Sequence, residues 1–254
     1  MRAITDSATM LRRQIRHMWR YPTLILTYVA VPVVFLLLFV YVLGGIMGTG
    51  IGGDRAAYVG FVTPGILIMT IASAAQGTAI SVAMDMTEGI VARFKTMAIA
   101  RVSVLTGHVL GALVQNFIAI TAVTLTALLI GFHPAASALD WLGVIGVLAM
   151  FTFAITWLSA ALGMVTKNVA TASNLPMPLM LLPFLGSGVV PPESMPGPLR
   201  WFAEHQPFTP VIETLRALLA GQPAGSTFAA AALWSAVIAL AGYLWARRLY
   251  NRWG

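Results

Sequence analysis

Cysteine is absent from this 254-residue chain, and charge is scarce: Lys, Arg, Asp and Glu together make up 9% of it. Without cysteine there are no disulfides, no thiolate metal sites and no thiol chemistry. Soluble domains carry about 25% charged residues. A chain with 59% apolar residues and a mean hydropathy of +0.86 is therefore not built for water alone. Acid is scarcest, with 8 Asp and Glu against 15 Lys and Arg, for a net charge of +7. Such a balance serves nucleic-acid binding only where the cations form an exposed, contiguous patch. Here they stand at the ends of apolar runs, which reads as membrane orientation, and no nucleic-acid partner is expected.

The phosphate-cradling pattern G-x-x-x-x-G-K-[ST] is missing, and so is the metal motif H-E-x-x-H. The histidines, His17, His108, His133 and His205, are far apart in sequence and fall at expected helix ends or loops, so no metal site is expected. No Asp or Glu lies well inside an apolar run, although buried carboxylates are what intramembrane catalysis and proton- or sodium-coupled transport use. Gly186-Ser187-Gly188 has no histidine in a later span to act as base. No catalytic residue is expected, and any ATP dependence must come from another polypeptide.

What the chain does have is apolar runs. A hydrocarbon core of about 30 Å takes roughly 20 apolar residues per helix. Six runs qualify, at about 22–45, 58–84, 102–132, 139–165, 171–190 and 226–246. The first follows basic residues, but it is too long for a signal-peptide core and no cleavage site follows it. The expected fold is an all-α membrane protein, one transmembrane domain over 1–254 with six spans. Placing both termini, 85–101 and Lys167 on one side gives that side Arg2, Arg12, Arg13, Arg16, Arg20, Arg93, Lys95, Arg101, Lys167, Arg247, Arg248 and Arg252. Only Arg55, Arg200 and Arg216 remain for the other. The positive-inside bias makes the first side cytoplasmic, with both termini there.

Three segments are neither spans nor plain loops. In 3–20, Leu11, Ile15, Met18 and Trp19 share a helical face opposed by Arg13, Arg16 and Arg20, as in a helix lying among anionic headgroups; membrane lipids are its partner. In 85–101, Ile90, Val91, Phe94, Met97 and Ala98 follow helical spacing, with Asp85 and Glu88 near the start. This amphipathic piece either connects two spans or receives a soluble partner. The third, 191–222, holds six prolines, and it predicts a helix capped by Thr209, with Pro210 at its first position and Gly221 ending it. About eleven residues reach only about 16 Å, so this helix dips into or lies on the outer surface.

The interior is only weakly polar: Thr63, Thr70, Gln76, Thr78, Gln115, Asn116, Thr121, Thr124, Thr156 and Asn174. Such residues commonly form hydrogen bonds between helices. Alternatively Thr63, Gln76 and Asn174, with the adaptable thioethers of Met69, Met177 and Met180, line a path for an amphipathic substrate. Pro64, Pro176, Pro178 and Pro183 interrupt the second and fifth runs, marking these as places that hinge or shape a cavity.

Three stretches resemble the type-2 ABC exporter permeases, in particular their daunorubicin-resistance branch: Phe61-Val62-Thr63-Pro64-Gly65-Ile66-Leu67; Glu88-Gly89-Ile90-Val91-Ala92-Arg93-Phe94-Lys95 with Ile99-Ala100-Arg101; and Ser187-Gly188-Val189-Val190-Pro191-Pro192-Glu193, continuing through Gln206-Pro207-Phe208-Thr209-Pro210 and Leu215-Arg216-Ala217-Leu218-Leu219-Ala220-Gly221. The resemblance implies an N-terminal interfacial helix, a cytoplasmic coupling helix at 85–101 and external re-entrant helices before the sixth span. It also implies that Asp85, Glu88, Gly89, Arg93, Phe94 and Lys95 meet an ABC ATPase subunit. Two ATPase copies, which bind the ATP and Mg, would serve two permease copies, alike or related. The implied activity is efflux of a drug, antibiotic or similar compound across the cytoplasmic (inner) membrane. A lipid or lipid-linked glycan is the alternative cargo, and an ATP-independent carrier the alternative class.

Overall fold

A computed structural model describes residues 22–50, 53–87, 101–166 and 168–252. All regular structure among them is helical. The order is α1 (Pro22–Leu38), a π-helical turn (Phe39–Leu43), α2 (Gly44–Gly50), α3 (Arg55–Thr87), α4 (Arg101–Leu129), α5 (Ala138–Val165), α6 (Val169–Asn174), α7 (Met177–Leu181), a 3-10 turn (Pro192–Ser194), α8 (Gly197–His205), α9 (Phe208–Leu219) and α10 (Gly225–Arg252). Among the described residues, five helices are long and apolar enough to cross a bilayer: Tyr28–Gly50, Arg55–Thr87, Thr106–Leu129, Ala138–Val165 and Gly225–Asn251. The 33 residues of α3 reach about 50 Å, well beyond the hydrocarbon core.

Local chemistry sets the ends of these helices. At the start of α5 the Ser137 hydroxyl accepts from the Asp140 amide while Asp140 accepts from the Ser137 amide, a reciprocal cap. Both α4 and α9 end on glycines of positive φ, Gly131 at 104° and Gly221 at 67°. In α9 the Gln222 amide donates to the Ala217 carbonyl and the Gly221 amide to Leu218, so the last carbonyls are satisfied as the chain turns.

Alternating helix directions give the bundle two ends. One gathers the start of α3, the end of α4, the start of α5 and all of α9: the Ala135 amide donates to Leu219, and Phe151 meets Phe208 edge to face at 5.0 Å. The large buried cluster lies here, with Tyr58, Ile66, Ile155, Ile212 and Leu215. The opposite end gathers the end of α3, the start of α4, the end of α5 and the end of α10 around a smaller cluster of Val82, Val109, Trp157, Met164 and Tyr250.

Two expectations need correction. The run at 171–190 is not one continuous helix: α6 and α7 are single short pieces, followed by turns to Val189. Its prolines explain this, since each removes a backbone donor and clashes with the preceding turn. The segment still travels between the ends, from Ser173 beside Gln76 to Gly188 against Gly65. Thr209 is not a cap: α9 begins at Phe208, and the Thr209 hydroxyl donates to the Ala203 carbonyl at 2.5 Å, tying α9 to α8. The interfacial helix expected at 3–20 lies outside the described residues, as do positions 88–100 of the expected coupling helix. Asp85, Met86 and Thr87 continue α3.

Candidate functional site

The expected interhelical hydrogen bonds of the weakly polar residues are mostly absent. Thr63, Thr70, Thr78, Thr121, Thr124 and Thr156 each donate to the carbonyl four residues back in their own helix, and the Asn116 amide does the same. A buried hydroxyl finds that acceptor without waiting for a neighbour. Gln76 is the exception, its Nε2 donating to the Ser173 carbonyl at 2.9 Å, and Gln115 bonds Tyr28 across α4 and α1.

Of the path residues, Thr63 and Met69 are buried in the core, while Asn174 and Met177 are exposed and Met180 is half-buried. Gln76 and Asn174 come near one another through Ser173; the six do not converge on one cavity. A groove of about 580 Å³ lies elsewhere, on the α4 surface, lined by Leu113, Val114, Phe117, Ile118 and Thr121. Of the hinge prolines, Pro64 and Pro176 are buried, Pro183 is buried and Pro178 is exposed.

The densest polar arrangement is at the α9 end. Pro64 cannot donate to the Gly60 carbonyl, so α3 lacks one helical hydrogen bond there while staying helical from Arg55 to Thr87. Beside Pro64, a Cβ on Gly65 would run into the Gly188 carbonyl, so two backbones touch. Over the contact lies Arg216. Its Nη1 donates to Glu213 one turn back at 2.6 Å, and its Nη2 donates to the Ser187 carbonyl at 2.6 Å and the Phe61 carbonyl at 3.1 Å. The guanidinium carbon stands 3.9 Å from the Phe61 ring centre, a cation–π contact. Burial pushes the Arg216 pKa down and Glu213 opposes it; an arginine stays charged regardless. Gln206 completes the group, donating to the Leu182 carbonyl at 2.8 Å.

At the other end, Asp85 near the end of α3 faces His108 of α4, Oδ2 to Nε2 at 2.8 Å, with both side chains mostly buried (14% and 10% exposed). The second ring nitrogen of His108 faces the Ser81 hydroxyl at 3.4 Å. The pair thus ties two helices just before they enter the segment expected to couple to a partner. Glu88, Gly89, Arg93, Phe94 and Lys95 lie outside the described residues. No group of three metal-ligating side chains occurs among the described residues.

Arg216 and His108 were missed as site residues. The signal for Arg216 was available: it falls at the edge of the apolar face of Ile212, Leu215 and Leu219, where a cation needs a buried partner. His108 gave none, because the register between α3 and α4 depends on the connection that joins them.

Apolar helices of spanning length, almost without buried acid and tied at their ends by isolated polar contacts, define a multi-pass membrane protein. Residues 6–220 match the ABC-2 type transporter family, and the chain belongs to that family. It is similar to the daunorubicin resistance ABC transporter permease protein DrrB1 of Streptomyces coeruleorubidus, 28% identical over 223 residues covering 84% of this chain and 77% of that protein. It is also similar to the probable doxorubicin resistance ABC transporter permease protein DrrC of Mycobacterium tuberculosis, 22% identical over 210 residues covering 83% and 75%.

Proposed function

We propose that this chain is the membrane subunit of an ATP-driven exporter that moves a hydrophobic or amphipathic compound outward across the cytoplasmic membrane. Family membership along residues 6–220 carries the reading. The names of the two relatives, which concern daunorubicin and doxorubicin resistance, support a drug as cargo. With no phosphate-binding loop in the sequence, the ATPase is a separate polypeptide. Two ATPases work with two permease copies, and the broken 171–190 segment serves as a sixth crossing with both termini in the cytoplasm.

In this reading, closure of the ATPases pushes on 85–101 through Glu88, Gly89, Arg93, Phe94 and Lys95. Asp85, held by His108, fixes the root of that segment to α4. Motion is then passed along α3, a single element from Thr87 to Arg55, to the part around Pro64. Irregular backbone between Leu182 and Val189 cannot face lipid unsatisfied; a second permease copy or the path itself against its exposed Leu185 side fits this reading. Nucleotide and substrate must prefer different conformations for such coupling to work.

The test is transport of daunorubicin into inverted vesicles containing this chain with its ATPase. ATP-dependent accumulation, abolished when the ATPase is omitted, is the expected result. Gradient-driven flux through the purified chain alone in liposomes, without ATP, would show a carrier and overturn the proposal. ATP-dependent flipping of a lipid with no drug transport would overturn the assigned cargo.

A further inference from the structure

We infer that Arg216 pins an external gate, holding the turn at 186–188 shut against the Pro64–Gly65 part of α3; this rests on the exporter reading. The pin joins segments far apart in the chain, reaching Phe61 across 155 residues and Ser187 across 29. Both acceptors are backbone carbonyls close to proline-disturbed backbone. Phe61 lies one turn before Pro64, and Ser187 follows the proline-broken run. A planar fork can hold two such carbonyls and stack on a ring together; an ammonium cannot.

Closure at this point is tight. Gly65 and Gly188 meet backbone to backbone, and Tyr58 adds a long hydrogen bond from its hydroxyl to the Val189 carbonyl at 3.4 Å. Ser187 is fully buried. Nothing can pass between α3 and this turn while the two touch.

The closure is also poised to release. Glu213 and Arg216 share α9, so their ion pair travels intact when the turn moves away; the bond from Arg216 to the Ser187 carbonyl is lost, with those from Tyr58 to Val189 and from Gln206 to Leu182. The closed arrangement leaves three buried polar atoms without a partner among the described residues: Arg216 Nε, Ser187 Oγ and Gln206 Oε1. A partly satisfied buried network costs less to leave than a complete one. Opening admits water to all three atoms, which offsets part of the lost bonding. Arg216 is thus a positioning residue: it touches no cargo and sets how long the gate stays shut.

The absence of cysteine makes the test direct. Ser187→Cys places one thiol at the buried turn, and its maleimide labelling is followed on the complex with its ATPase in nanodiscs. At rest, the thiol should be protected. Adding Arg216→Ala or Arg216→Lys should raise the resting rate about tenfold or more, the signature of a shifted open–closed population. Glu213→Gln, which spares the carbonyl bonds, should leave it unchanged. Should the alanine variant not accumulate, the lysine variant and Phe61→Leu decide, each keeping most of the side-chain volume. Resting protection that is the same with and without Arg216, or as strongly lost in Glu213→Gln, overturns the pin. The resting measurement needs neither ATP nor cargo. Labelling that responds to Arg216 but never to ATP and daunorubicin therefore overturns the exporter reading and leaves the pin standing.

Discussion

The two ends of the bundle hold themselves together by different means. At the His108 end, unbroken helices meet: one side-chain pair, Asp85 with His108, bridges α3 and α4, and Trp157 meets Tyr243 edge to face at 5.0 Å between α5 and α10. At the α9 end, the backbone is broken along 175–190, and Pro64 leaves α3 one helical bond short; side chains are recruited there, and Arg216, Gln206 and Tyr58 all donate to carbonyls. A continuous helix satisfies its own backbone and transmits displacement as a unit. Interrupted backbone stays in place only while something else supplies its partners. The first kind of end suits a push; the second suits a gate.

Crowding at the interrupted end gives the largest expected effect. Gly65→Ala forces a methyl into the Gly188 carbonyl, where no flexible side chain can give way. A loss of about 3 kcal/mol is expected, at the upper part of the overpacking range, read as a lower melting temperature in detergent and poor accumulation. Gly146→Ala, in the middle of α5 with nothing within 4 Å of the added carbon, is the control. It should be neutral or stabilising by up to about 1 kcal/mol through helix propensity. Equal losses in the two variants would mean that the Gly65–Gly188 contact is not what closes this end.

The pair at the other end is expected to matter less for folding and more for coupling. His108→Ala or Asp85→Ala leaves the other group mostly buried and short of a partner, at a cost of about 2 kcal/mol. A double variant should lose less than the sum of the two, the mark of direct interaction. Transport per ATP hydrolysed should fall in both single variants while binding of the ATPase persists. Additive losses with unchanged coupling would make the pair mere packing, and the contrast between pushing end and gating end would lose half its support.

How much of this was legible in the sequence depended on whether an element is specified locally. Five long helices follow from apolar runs bounded by polar residues, and their observed limits fall within a few residues of those runs except where α10 continues to Arg252. Gly221 was readable as a stop because only its own φ had to be right. The start of α9 was not, since Thr209 is a good cap by type and was claimed instead by a carbonyl of the preceding helix. In the same way Thr63 and Thr70 carried no sign of whether they would bond within or between helices. Prolines announced that 171–190 is interrupted, but which carbonyls would then need Arg216 depends on three segments meeting, and no spacing records that.

The smallest expected effect lies at the same end as Arg216 yet outside its network. Ser137→Ala removes the acceptor for the Asp140 amide at the start of α5, together with the bond from the Ser137 hydroxyl to the Asp140 carboxylate at 2.7 Å. Such caps are worth about 1 kcal/mol, and this one is exposed. The melting temperature should drop slightly, while the labelling rate of a cysteine at Ser187 should not change, because α5 is continuous from Ala138 to Val165 and fraying of its first turn leaves the Phe151–Phe208 contact intact. Comparison of the two readouts in this one variant separates stability of the α9 end from control of the gate. If loosening the cap also exposes Ser187, the gate is held by the general firmness of that end and not by the guanidinium that spans it.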